Sequence, residues 1–314
     1  MTILARLERW QQAGAITSEQ QAQLTSIARE EPFSISLELN ILQYAGVLAF
    51  VVGLGWTVAT WSAQIGDLLV VGVLSTILAA CFWYTFSRAS AWLPTEQIPA
   101  SPFIDYVLYL GCLVWGIELG YLEQRFHLLS GQWDTYLLLT AVLFFFLAYR
   151  FDNRFVLSLA LSSLAGWFGV TISHWPSTQE ATYRMYALAF CLVVGVGGWL
   201  CRLRELKAHF LGTYLNVVAN VLFVAVLSGV FQREGYGLWF LALLVAIGAS
   251  LAWGITQRQF AFVAYAAVYG YVGVSSLLLR EARDSTLILF YFVTTSIGML
   301  VMLVAVARNF GRSE

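Results

Sequence analysis

The sequence predicts an all-α polytopic membrane protein, a bundle of about ten transmembrane helices behind a short amino-terminal helical hairpin. Of 314 residues, 60% are hydrophobic and 11% charged, against about 45–50% and 25% in a soluble protein. The apolar residues fall into runs able to cross about 30 Å of hydrocarbon at about 1.5 Å per residue. Threading those runs back and forth sorts the basic residues to one side. Three regions follow: residues 1–38 as a cytosolic hairpin, 39–308 as the transmembrane helical domain, and 309–314 as a cytosolic tail.

In the hairpin, Ile3, Leu4, Leu7 and Trp10 recur at helical spacing, and Gly14 can end that helix in a left-handed conformation. Ser18 with Gln21 matches a capping box for a second helix carrying Leu24 and Ile27, which Pro32 stops. Apolar sequence begins only near Ile41, so this segment does not read as a cleaved signal peptide. The stretch LERWQQAGAITSEQQAQL, with Leu7, Trp10, Gly14, Ile16, Ser18, Glu19, Gln20 and Leu24, stands just ahead of many spans. It resembles the amino-terminal signature of domain of unknown function 2157, an uncharacterised family of bacterial membrane proteins. The resemblance implies a multi-span inner-membrane protein and brings no catalytic residues to carry over.

The ten spans are read at 41–61, 68–86, 103–122, 136–149, 155–172, 183–200, 210–230, 237–255, 260–279 and 287–307. The fourth is short; its flank at 132–135 extends it, or it sits untilted in a locally thin bilayer. On the amino-terminal side lie Arg6, Arg9, Arg29, Arg88, Arg150, Arg154, Arg202, Arg204, Lys207, Arg258, Arg308 and Arg312. Arg125, Arg184, Arg233, Arg280 and Arg283 fall on the other. By the positive-inside rule both termini are expected to be cytoplasmic, and the resemblance implies that the membrane is the bacterial inner membrane.

No span contains Pro, and no internal repeat marks a broken-helix transporter. Small residues at intervals of four form candidate packing seams: Ala45, Ala49, Gly53 and Thr57; Ser158, Ser162 and Gly166; Ala242, Ala246, Ser250 and Gly254. Trp61, Trp92, Trp133, Tyr149, Trp175, Tyr183, Trp199 and Tyr236 sit near span ends as interfacial anchors.

Several chemistries lack their residues. Net charge is −1, so nothing suggests nucleic acid. Lys207, the sole lysine, follows CRLREL in a charged connection, which suits neither a phosphate loop nor a Schiff-base cofactor. Cys81, Cys112 and Cys191 fall inside apolar runs and Cys201 at a span end; His127, His174 and His209 are scattered. No disulfide, metal or cofactor is expected. There is no H-E-x-x-H or G-x-S-x-G, so the reading leans away from an enzyme; a lipid-modifying site on His127 or His174 is the residual alternative.

Four residues carry what functional signal there is. Glu118 is a carboxylate inside the third span, and a charge at the bilayer centre costs about 2.5–3.5 kcal/mol on insertion scales. It reads either as a protonatable or cation-binding group, or as a structural carboxylate for which Arg184, at matching depth in span six, is the nearest partner. Asn216 and Asn220, four apart, share a face of span seven and serve either as interhelical glue or as solute contacts. Asp67, Asp105 and Asp134 at span boundaries read as helix caps or solvated ends.

Two functions remain open. One is transport or permeation of a small solute or ion along a polar path of Glu118, Arg184, Asn216 and Asn220. The other is a non-catalytic scaffold or sensor in which residues 1–31 bind a cytosolic partner or a second copy.

Overall fold

The computed structural model describes residues 10–11, 14, 17–18, 20–21, 46–57, 60, 66–89, 91–96, 102–128, 132–173, 180–232, 235–280 and 285–311. Most of the hairpin, the start of span one with Ala45, and Trp61, His174, Trp175, Arg233 and Arg283 lie outside these residues. The described parts are helical: α1 (Gly46–Thr57), α2 (Asp67–Ser87), α3 (Pro102–Phe126), α4 (Trp133–Phe151), α5 (Arg154–Ser173), α6 (Glu180–Leu203), α7 (Leu211–Val230), α8 (Tyr236–Thr256), α9 (Phe260–Leu278) and α10 (Ser285–Gly311). Among the described residues, nine of these (α2 to α10) contain segments long and apolar enough to cross a membrane, and α1 is a shorter apolar helix. The protein is a helical membrane protein.

The helices track the predicted spans, with two informative differences. Span four gains its flank and becomes a full crossing, Trp133–Phe151. Span three runs on to Phe126, which moves Glu123 from a predicted connection into the helix, where it is 2% exposed and accepts a hydrogen bond from Tyr136 Oη at 2.5 Å. Glu118 is therefore not the only buried carboxylate of α3.

In the hairpin, Gly14 does adopt a left-handed backbone, φ 70°. The capping box is one residue earlier than read: Thr17 Oγ1 accepts from the Gln20 N–H at 3.2 Å, and Gln20 Oε1 accepts from the Thr17 N–H at 3.0 Å. Thr17-x-x-Gln20 has the same spacing as Ser18-x-x-Gln21, and only backbone geometry distinguishes them.

Sequential pairs α2–α3, α4–α5, α6–α7 and α8–α9 pack side by side, and α7 also touches α5, α8 and α9. It is the hub of the bundle. The seam predicted on α8 forms: Ala246 and Ser250 are buried, and Ser250 Oγ donates to the Phe262 carbonyl at 2.8 Å. Gly254 there permits close approach, since a Cβ would lie 2.9 Å from Val263 Cγ2. The other two seams do not form as read. Ser162, Ala49 and Gly53 are exposed, and α5 buries Val156, Leu157, Ala160 and Leu161 instead. Small size allows a close contact without compelling one, whereas large apolar groups gain more by interlocking with α4 and α7.

The boundary aspartates are not side-chain caps in the sense read. α2 begins at Gly66 with no side-chain cap, and Asp67 instead accepts from Tyr121 Oη at 2.6 Å and pairs with Arg125 at 3.2 Å. Asp105 accepts from Asn153 Nδ2 at 3.0 Å. The α5 cap is Asn153, whose Oδ1 accepts from the Phe155 and Val156 N–H groups at 3.0 Å each. Asp134 Oδ1 is buried with no hydrogen-bond partner.

One side of the bundle, here the basic face, is held by a buried ion pair of Lys207, the lysine of the charged connection, with Asp152. Lys207 Nζ lies 3.0 Å from Asp152 Oδ2, with side chains 0% and 1% exposed. The same ammonium donates to the Thr95 carbonyl at 3.0 Å, and His209 Nε2 donates to Asp152 Oδ1 at 2.6 Å. Both Lys207 and Asp152 have positive φ, 51° and 56°, which L side chains rarely adopt. Asp152→Asn tolerates that backbone but leaves the ammonium buried without a counter-charge. The expected cost is about 3–5 kcal/mol, read as a lower unfolding temperature in detergent, with most of it recovered when Lys207→Met is added.

Candidate functional site

The four singled-out residues do not converge on one place. Glu118 belongs to the α2–α3 seam. It is 7% exposed; Ser75 Oγ of α2 donates to its Oε1, and Oε2 has no hydrogen-bond partner. Arg184 is not its partner: among the described residues, no ion pair involves either group.

Arg184 lies in the second turn of α6 and is 5% exposed. Its guanidinium sits over the Trp239 indole of α8, 5.3 Å from the ring centroid, a cation–π contact, while its Nε has no hydrogen-bond partner. The indole reaches this position because residue 229 of α7 is Gly; a Cβ there would overlap the ring. Arg184 faces a cavity of about 740 Å³ on the side of the bundle opposite the basic face, lined also by Tyr183, Asn220, Val224, Ser228 and Gln232.

A second cavity, of about 490 Å³, opens on the basic face and is lined by Arg154, Arg202, His209, Asn216, Trp253 and Gln257 among others. Asn216 Oδ1 and Trp253 Nε1 are buried there without partners. Arg154 is engaged with Glu96 at 2.6 Å and His209 with Asp152, so this mouth is polar and less strongly basic than its residue list suggests.

The two cavities are lined by successive turns of α7. Gly212 and Asn216 line the basic-face cavity, and Asn220, Val224 and Ser228 line the opposite one. These five positions form a single row of residues four apart, the ridge that runs along an α-helix. Asn216 and Asn220 are about 6 Å apart along the axis. Between them, Asn220 Nδ2 donates to the Asn216 carbonyl at 2.8 Å, and Tyr269 Oη of α9 donates to Asn220 Oδ1 at 2.9 Å. Tyr269 is fixed by stacking on Phe223, centroids 4.8 Å apart. The Asn220 amide thus bonds both the Asn216 backbone carbonyl and the α9 hydroxyl at the turn where the lining passes from one cavity to the other.

Residues 8–157 match the model of a family described as predicted membrane protein, DUF2157. The amino-terminal half is similar to this family. No curated protein and no solved structure matches the chain. The DUF2157 match extends well past the motif that carried the resemblance and ends inside α5. It takes in Glu118, Ser75 and Asp152, whereas Arg184, Asn216 and Asn220 lie beyond it.

Sequence reasoning missed Ser75, Trp239 and Tyr269, each of which contacts a singled-out residue from another helix. A lone Ser, Trp or Tyr in an apolar run carries no signal of its own. Arg280 was counted only as a charge, yet it donates to the Val230 carbonyl at 3.0 Å and to that of Gln232, so it satisfies the carboxyl end of α7 beside the cavity mouth. Ser75→Ala removes the one donor to Glu118 among the described residues and is expected to cost about 1–3 kcal/mol, measured by thermal unfolding in detergent. Glu118→Gln keeps an oxygen to accept from Ser75 and is expected to leave stability within error.

Proposed function

We propose that this membrane protein conducts a small solute between the two cavities along the α7 ridge, in the transport or permeation class. The observation that supports this is the single row Gly212, Asn216, Asn220, Val224 and Ser228, whose first two members line one cavity and whose last three line the other; Asn220, with its bonds to Asn216 and Tyr269, is taken as the septum between them. Three of the four candidate residues, Arg184, Asn216 and Asn220, belong to this path. Glu118 lines neither cavity, so its part is structural in this reading.

The basic face is taken as cytoplasmic on the strength of the positive-charge count, and the membrane as the bacterial inner membrane on the strength of the family likeness. The path is then open to the cytoplasm as far as Asn216. The septum is its gate, since releasing Asn220 from Tyr269 joins the cavities without unfolding a helix.

A scaffold or sensor function is the competing reading, and what favours it is Trp10, 52% exposed on the amino-terminal hairpin, a residue type that anchors protein contacts. Removal of residues 1–31 separates the two: a conduit keeps its flux, and a scaffold loses its partner or self-association.

Reconstitution into liposomes with potassium, chloride, phosphate, acetate and glycerol as test solutes checks the proposal. Flux above protein-free vesicles is expected for at least one of them. Asn220→Leu is expected to lower it about tenfold or more and Tyr269→Phe to raise it, while Glu118→Gln leaves it unchanged. No flux for any solute, or flux indifferent to Asn220 and Tyr269, rejects the path.

A further inference from the structure

The cavity that contains Arg184 has a chemistry of its own. Arg184 is only 5% exposed, and a charge that loses most of its hydration without a counter-charge is strongly disfavoured. The Trp239 face returns only part of that loss. Among the described residues no carboxylate pairs with it. Its Nε–H has no acceptor, so the side-on edge of the guanidinium, which accepts a carboxylate through two parallel hydrogen bonds, is vacant on the Nε side. Among the described residues the other polar members of the lining, Tyr183, Asn220, Ser228 and Gln232, supply no carboxylate, and the rest of the wall is Ala187, Val221, Val224, Ala225 and Phe231.

We propose that this cavity binds an organic monoanion, its carboxylate held by Arg184 and its apolar body against Val221, Val224 and Phe231. The charge balance selects the class. One cation answers one negative charge, whereas a dianionic phosphate would leave a charge unpaired in an apolar setting, and a cationic or neutral solute would leave Arg184 itself unpaired. The wall selects the body, because an apolar group is stabilised by leaving water for an apolar lining. This assignment rests on the reading of the cavity as one mouth of the α7 path, but binding is measurable without transport. The anion could come from the aqueous phase as a short-chain acid or from the bilayer as a fatty acid; the recognised chemistry is the same.

The test is equilibrium binding of radiolabelled octanoate to the full-length protein in detergent. Saturable binding is expected, displaced by other carboxylates and not by octanol or octylammonium. Arg184→Gln is expected to weaken it at least about tenfold, the loss of one charge-assisted contact, and Arg184→Lys to restore part of it. Val224→Trp fills the cavity without touching the charge and is expected to abolish binding, which keeps the test decisive if Arg184→Gln does not fold. Displacement by oleate well below the octanoate concentration assigns the ligand to the bilayer, and displacement by acetate and butyrate but not oleate assigns it to the aqueous phase. Absence of saturable binding, octanoate affinity within twofold of native in Arg184→Gln, or equal competition by octylammonium overturns the proposal. Binding without flux in liposomes would sink the transport reading and leave this one standing; flux without Arg184-dependent binding would do the reverse.

Discussion

The buried pair of Lys207 and Asp152 is the constraint on which the rest of the bundle depends. Helices in lipid gain little from the hydrophobic effect when they associate, because lipid tails are as apolar as their neighbours. What sets their mutual positions must come from interlocked side chains and from polar contacts with no alternative partner. Lys207 supplies the latter at one face: its ammonium ties the α4–α5 connection at Asp152 to the α2–α3 connection at Thr95, and its own N–H donates to the Pro94 carbonyl at 2.8 Å. Lys207 itself lies between α6 and α7, so one side chain draws three connections together. The positive φ at Lys207 and Asp152 is the local strain accepted for that arrangement.

From this anchored face α7 runs across the bundle as the element most others lean on. Its two ends are secured differently. At the basic end Phe210, 1% exposed, packs edge-on against Tyr149, centroids 5.2 Å apart. At the other end Arg280 takes the last carbonyls and stacks over Tyr236 at 4.2 Å. Between them Gly198 of α6 admits the Tyr214 ring, where a Cβ would lie 2.7 Å away. Close packing therefore secures α7 along its apolar faces, and the two cavities follow the one ridge whose polar members, Asn216, Asn220 and Ser228, are not claimed by that packing.

How much of this was legible in the sequence depends on whether the signal is local. Span positions were, because hydropathy sums over a whole helix and tolerates errors at its ends; the short fourth span needed only its flank. Asn216 and Asn220 were legible as a pair because helical periodicity puts residues four apart on one face. Their distribution between two cavities was not, since it depends on what α6, α8 and α9 bring alongside. The same limit explains Glu118, whose partner proved to be Ser75 and not Arg184. Matching by depth across the membrane says nothing about which helices are neighbours. The ion pair of Lys207 was not legible for a related reason: a charged connection carries no sign of burial, and only the convergence of three connections buries it.

The fixed and the yielding parts of the molecule differ by an energy that can be compared. Separating Lys207 from Asp152 exposes two buried charges to loss of their counter-ion, about 3–5 kcal/mol. Parting Tyr269 from Asn220 breaks one neutral hydrogen bond, and such bonds between membrane helices average about 0.6 kcal/mol. Even with the Asn220–Asn216 bond added, the septum costs little more than thermal energy, about 0.6 kcal/mol at room temperature, for each bond. Phe223 holds Tyr269 by stacking, worth about 0.5–1.5 kcal/mol beyond burial, so the ring is the stiffer half of the septum and the amide the more mobile one. The Asn220 amide, held by neutral hydrogen bonds alone, is therefore fixed far less strongly than the buried ion pair of the basic face.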